Sequence, residues 1–316
     1  MRRSLLVVLA ISLAACARVQ PHTEPTAIQQ GAPRALRGRV TDHVIVISVD
    51  GLRPDAITRF NATTLQRLMR EGRYSMGAQT ISNSKTLPSH TSMLTGVEED
   101  VHGIHWNSDK TGNFGYVKVP TIFALAHDAG FTTAAIFSKT KFHHLAAPST
   151  IDFVRSPKGK LALLPWPAQR TADYVAEYLA TAKPNLMFVH VAETDFAAHQ
   201  FGWMSGTYGR AVREADLAIA RILRDADASL GRGAYTVIIT SDHGGHDKSH
   251  GTTDPRDMTI PWIVWGAGVQ SGDTLSGIRT MDTAATVMWM LNIDAPATWT
   301  GRVVSAAFQR TTAVAR

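Results

Sequence analysis

One cysteine, Cys16, stands in 316 residues, so no disulfide can form within the chain. Charged residues are scarce at 18%, against 44% hydrophobic, a balance that excludes global disorder and leaves enough apolar mass for a sizeable core. Runs of lysine or arginine are missing. The formal charge of +6 is scattered, which gives no footprint for a nucleic-acid partner and only a mild bias toward anions. Internal repeats are missing as well, and no Pro- or Gly-rich linker divides residues 40–310, so this stretch reads as one large domain.

What is present begins with an unusual end. Met-Arg-Arg-Ser is followed by a short apolar run to Ala15. The run is too short to span a bilayer comfortably and reads as a signal peptide over residues 1–15. Leu13-Ala14-Ala15-Cys16 resembles the bacterial lipobox, which makes Cys16 the expected lipidation site. Residues 16–38, rich in Gln, Pro, Thr, Ala and Arg, are expected to be a flexible tether to a membrane. Removing Arg2 and Arg3 with the signal lowers the formal charge from +6 to +4. These features predict an exported, periplasm-facing lipoprotein of the cell envelope, on the outer membrane. The domain itself is placed at 39–310, with a tail at 311–316.

Within the domain, apolar runs alternate with amphipathic segments. Val44–Val49 is a continuous apolar run ending in Asp50, as expected of a buried parallel strand. Pro54 opens a helix expected to reach Gly72. Strands are expected at 132–137, 186–192, 235–240 and 260–265, with helices at 122–129, 168–182, about 208–229 and 282–291. The prolines at 148, 157, 165 and 167 mark a small loop-rich cap insertion, about 142–167, over the site. The pattern predicts an α/β fold: a doubly wound, largely parallel sheet with helices on both faces. In such sheets ligands bind outside the C-terminal strand edges. Asp50, Asp195 and Asp242 each follow closely on an expected strand, so all three can converge there.

The chemistry-bearing residues cluster around those carboxylates. Asp195 and His199 lie four apart, one helical turn, and can face one ion. Asp242 and His243 are adjacent at a strand end, and His250 sits in a Ser-His-Gly loop. With Asp50 and Thr86 they form a mixed nitrogen and oxygen set that suits zinc better than calcium or magnesium. Thr86 precedes a short helical run closed by Gly96, at a helix N-terminus that favours an anion or alkoxide. Its hydroxyl reads either as a helix cap or, activated by a metal, as a nucleophile. Asp195 and His199 by themselves read more readily as a solvated helix start than as ligands.

The segments VISVDGLRPD, SKTLPSH, LTGVEEDVHGIHWN, TDFAAHQFG, TSDHGGH, the SHG around His250 and IPWIVWGAGV, in this order, resemble the alkaline phosphatase superfamily. The nearest likeness is to its type I phosphodiesterase/nucleotide pyrophosphatase branch, over about residues 42–308. The resemblance implies a site for two Zn2+ ions, one held by Asp195, His199 and His250. The other is implied at Asp50, Asp242, His243 and the oxygen of Thr86. It implies that Thr86 becomes a phosphothreonine that water then hydrolyses, with Asn107 contacting the phosphate, and a small phosphoester as substrate. Leu87 and Ser89 depart from the Phe and Asn usual in the nucleotide pyrophosphatases, which puts a nucleotide preference in doubt. Lys139-Thr140-Lys141 looks like a variant of the Lys-x-Arg pair of superfamily phosphomonoesterases, and implies Lys139 and Lys141 as phosphate contacts. Three readings follow: a phosphodiesterase, a phosphomonoesterase using these lysines, and a zinc-binding lipoprotein without catalysis. His102, His105, His143, His144 and His246 are expected to structure loops or line the rim.

Overall fold

In a computed structural model, residues 38–158, 164–272 and 274–308 are described. The signal peptide, Cys16, nearly all of the tether and the C-terminal tail lie outside them. Among the described residues no helix is long and apolar enough to cross a membrane.

Seven strands form one mixed sheet: β1 (His43–Val49), β2 (Arg73–Gln79), β3 (Thr133–Ile136), β4 (Phe153–Arg155), β5 (Leu186–Val191), β6 (Tyr235–Thr240) and β7 (Thr259–Gly266). Their order is β2-β7-β6-β1-β5-β3-β4. β6, β1, β5, β3 and β4 are parallel, whereas β7 runs against both β6 and β2. β1 lies at the centre because its apolar run can be buried on both faces. Ile45, Ile47 and Val49 pack with the helices Pro54–Arg59, Thr63–Glu71, Ala168–Leu179 and Gly206–Leu230. Val44 and Val46 pack on the opposite face with the helices Thr86–Thr95, Ile122–Asp128 and Asp282–Met290. Strand alternation therefore divides the interior into two layers, one on each side of the sheet.

Three local features differ from the pattern read in the sequence. The helix from Pro54 breaks at Phe60–Ala62, where Asn61 takes φ 55°, a left-handed conformation that Asn tolerates better than most residues. β2 was not expected. It is an edge strand of mixed polarity, bulged between Ser75 and Ala78, with little apolar periodicity to reveal it. The cap insertion is no mere loop: its described residues include part of a 3-10 segment, Thr140–Leu145, and β4, which closes the sheet edge beside β3.

Candidate metal centre and nucleophile

The parallel strands deliver the site residues to one edge. Asp50 still donates its backbone N–H to Val191 O (2.9 Å), the last ladder bond between β1 and β5. The next residues tie β1 to β6: Gly51 N–H bonds Asp242 Oδ1 (3.1 Å) and Leu52 N–H bonds Ser241 Oγ (3.0 Å). Beyond β5, the Thr194 hydroxyl donates to Asp50 O at the start of the helix Glu193–Phe201, which carries Asp195 and His199. Thr86 is the first residue of a helix buried along its whole length, and Gly96 closes it with φ 67°. The Thr86 Oγ1 atom lies 3.5 Å from His243 Nε2.

Three imidazoles share one arrangement. Nδ1 of His199, His243 and His250 lies 3.0, 2.8 and 2.8 Å from the carbonyls of Lys248, Gly244 and Ser84. A carbonyl only accepts, so each Nδ1 carries hydrogen and each Nε2 points inward. There, His199 Nε2 lies 3.3 Å and His250 Nε2 3.6 Å from Asp195 Oδ1. His243 Nε2 lies 3.3 Å from Asp50 Oδ1 and 3.2 Å from Asp242 Oδ2. Those carboxylate oxygens, Asp50 Oδ1, Asp195 Oδ1 and Asp242 Oδ2, are buried and receive no hydrogen bond among the described residues. A buried carboxylate oxygen without a donor is costly, and inward imidazole nitrogens held by outer carbonyls are the orientation metal ligands take. Two groups bring their ligand atoms within 4.8 Å of one another: Asp195, His199 and His250, and Asp50, Asp195 and His243. The donor set fits a divalent, zinc-like cation. Asp242, which the sequence reading placed with Asp50 and His243, brings its Oδ2 to 3.2 Å from His243 Nε2, while Asp195 lies within reach of both groups.

Charge explains how the cluster stays closed. Burial opposes ionisation of Asp50, but the Lys139 ammonium and the hydrogen bond from His190 hold it well below the carboxylate range. Asp195 is held low as well, burial and the Asp50 charge being outweighed by Lys139. Burial, then Asp50, pushes Asp242 up to about 8. Burial disfavours the charged form of His243, yet Asp242 and Asp50 raise it to about 9. His250 is lowered to about 3 by burial and by His243. Lys139 is thus the cation that faces Asp50 and Asp195, and a cation bound at the remaining carboxylate oxygens would add to that compensation.

The two lysines divide. Lys139 Nζ bridges Asp50 Oδ2 and Asp195 Oδ2, 2.6 Å from each, so its ammonium is spent on the ligand carboxylates rather than offered as a phosphate contact. It uses the Oδ2 atoms and leaves both Oδ1 atoms to the cluster. Lys141 Nζ instead meets Asn107 Oδ1 at 3.0 Å. The same oxygen accepts Leu87 N–H at 2.9 Å, at the first turn of the Thr86 helix. Both neighbours are donors, so the Asn107 carbonyl faces them and its NH2 is the end left for a ligand oxygen.

Two histidines matter that the sequence reading gave no role. His190, inside β5, places Nε2 3.0 Å from Asp50 Oδ2 and Nδ1 2.7 Å from Ser138 Oγ. His90 donates Nδ1–H to Thr86 O (2.8 Å) and faces Ser48 Oγ with Nε2 (2.7 Å), steadying the first turn of the Thr86 helix. The signal was faint: a lone polar residue at positions 48 and 190 inside otherwise apolar strands. His246 pairs with buried Asp257 at 2.7 Å and His102 faces Ser92 Oγ at 3.0 Å, both as loop holders.

A sequence profile described as type I phosphodiesterase/nucleotide pyrophosphatase matches residues 44–254. Bis(5'-adenosyl)-triphosphatase enpp4 of Xenopus laevis is 25% identical over 228 residues, 65% of this chain and 47% of that protein. Human GPI ethanolamine phosphate transferase 1 is 23% identical over 280 residues, 78% of this chain and 29% of that protein. The chain therefore spans about half the length of the first relative and less of the second. Murine ectonucleotide pyrophosphatase/phosphodiesterase 5 superposes with a TM-score of 0.68 at 15% identity, covering 84% of this chain and 100% of that one. A 2-O GAG sulfatase gives 0.68 at 15% identity, over 85% and 74%. At such identities the solved structures establish the alkaline phosphatase-like fold.

Proposed function

The chain belongs to the type I phosphodiesterase/nucleotide pyrophosphatase family, and on that premise we propose that it is a zinc-dependent phosphoester hydrolase acting through a phosphothreonine at Thr86. The observation that carries the reading is the convergence of three undonated carboxylate oxygens and three inward Nε2 atoms beside the Thr86 hydroxyl. Asp195, His199 and His250 would hold one ion, and Asp50, His243 and Asp242 the other. Bound zinc would supply Lewis acidity, lowering the pKa of a neighbouring hydroxyl and offsetting charge on phosphoryl oxygens.

The chain's own residues do the rest. Thr86 Oγ1 loses its proton and forms a bond to phosphorus as the bond to the leaving alcohol breaks; the alcohol departs with a proton from water. A water then attacks phosphorus and breaks its bond to Thr86 Oγ1, which frees a phosphate monoester when the substrate was a diester, or phosphate when it was a monoester, and restores the hydroxyl. The helix N-terminus behind Thr86 stabilises the negative charge, and the Asn107 NH2 donates to a phosphoryl oxygen as charge builds. His90, held on Thr86 O, keeps that turn from shifting between the two steps.

Thr86→Ala tests this directly. The variant should fold, keep its metal by elemental analysis and lose most turnover on phenyl phosphodiesters and monoesters. Turnover at the original rate, or an active protein free of metal, sinks the reading. A nucleotide-type diester is the favoured substrate class from the family. A monoesterase reading has one observation of its own, the Lys141 ammonium beside Asn107, suited to the extra charge of a monoester.

The envelope location is likewise proposed from the sequence alone. Cys16→Ser expressed in the producing cell should release active domain into the soluble fraction, and an unaltered protein that is already wholly soluble would refute the anchor.

A further inference from the structure

Three side chains of the segment Thr140–Leu145 bond to the Asn107 loop. In a 3-10 helix the side chains at i and i+3 eclipse, so Lys141 and His144 project the same way. Lys141 holds Asn107, as described. His144 is fully buried and uses both ring nitrogens. Its Nδ1 donates to Gly115 O at 2.7 Å, and its Nε2 accepts the Trp106 indole N–H at 3.2 Å and the Lys110 backbone N–H at 2.9 Å. Its carbonyl accepts Val117 N–H at 2.9 Å. Between the two, His143 reaches Asp109 Oδ2 at 2.8 Å and Ser156 Oγ at 3.1 Å. One short turn thus grips the loop at residues 106, 107, 109, 110, 115 and 117.

We propose that His144 is a positioning residue for phosphate recognition, the central pin of a clamp, formed with Lys141 and His143, that sets Asn107 against the Thr86 helix. The inference rests on the phosphoester reading above. Packing alone does not account for this ring. An apolar side chain of similar volume would fill the space but leave the indole N–H, the Lys110 N–H and the Gly115 carbonyl without partners. Asn107 would then lose the frame that fixes its amide, since Trp106 precedes it directly. A rigid ring that accepts on one side and donates on the other spans the loop without torsions that could relax.

The test is a double-mutant cycle on the zinc-loaded full chain. His144→Ala, Asn107→Ala and the pair are compared by kcat/KM on phenyl phosphoesters, by inhibition constants for inorganic phosphate, by zinc content and by Tm. His144→Ala is expected to lower kcat/KM about 10- to 100-fold, the scale of a displaced contact, with zinc unchanged and phosphate inhibition weakened. In the Asn107→Ala background it should cost almost nothing more. Trp106→Phe, which deletes only the indole N–H, should show the same non-additivity with a smaller loss, and serves if His144→Ala fails to fold. Equal losses in both backgrounds, or no loss with wild-type Asn107, overturn the inference. An Asn107→Ala protein as active as wild type overturns it too, whereas wild-type protein inert on every phosphoester would defeat the functional reading itself.

Discussion

The two walls around Thr86 are built by different means. On the candidate metal side, Asp50 follows directly on β1, Asp242 and His243 come one residue after β6, and Asp195 with His199 lies on the first turns of the helix after β5. The Asp50 backbone is fixed by the sheet ladder, and the helix Glu193–Phe201 springs from the end of β5. Asp50, Asp195, Asp242 and His243 are buried, His199 is exposed, and carbonyls stand behind both imidazoles. On the other side, proposed to meet the phosphate, Asn107 comes from a loop that belongs to no strand. It is held by side chains of a 3-10 turn, chiefly Lys141 and His144. A wall on strand ends inherits its precision from the core, while a wall on a loop must be held by specific hydrogen bonds. Lys139 and Lys141, two residues apart, take opposite sides of this division.

The largest effect should come from Asp195→Asn, because Asp195 belongs to both candidate ligand groups. Zinc affinity measured by chelator competition should fall by more than ~100-fold, beyond what altering an outer hydrogen-bond partner produces. Retention of two tightly held ions would show that the metal wall does not hinge on Asp195.

Next is Lys139→Met, which removes a buried partner shared by two carboxylates. Denaturant unfolding of the metal-free variant should show a loss of about 3–5 kcal/mol, the scale of a broken buried pair. Saturating zinc should shrink that loss, since a cation then answers the same carboxylates. A loss undiminished by zinc would detach Lys139 from the metal wall.

The smallest effect is expected at Lys141, where burial and then the Lys139 charge push the ammonium down to about 8. The charge is present below that pH and lost above it. Monoester kcat/KM should therefore fall as pH rises through about 8, by roughly 10-fold if the ammonium contributes ~1.4 kcal/mol. Lys141→Arg keeps the charge and should carry the decline to higher pH. A profile that is flat for the wild type, or identical for monoesters and diesters, would leave Lys141 as a clamp alone.

Much of this was legible in the sequence. Apolar runs ending in Asp50 and Asp242 announced central strands, because burial on both faces leaves a strand no room for alternation, and a carboxylate at such an edge stands out. The helical spacing of Asp195 and His199 was equally plain. What escaped depends on partners remote in sequence. β2 exists because β7 offers it a ladder, not because Arg73–Gln79 is patterned as a strand. The place of Lys139 between Asp50 and Asp195 is decided by charges brought there by two other strands. His190 was hidden for the opposite reason: in an apolar strand a single imidazole has no local pattern to mark it.

The strand order also bears on when the site can come into being. β1, near the start of the domain, finds its neighbours only in Leu186–Val191 and Tyr235–Thr240. Pairings so distant along the chain close large loops and form late. During synthesis, the first acidic ligand must wait for most of the polypeptide before its counterparts exist. A nascent or truncated chain ending before Tyr235 would expose the central strand on one side and hold no complete binding set. Birth of the catalyst and closure of the sheet are, in this topology, the same late event.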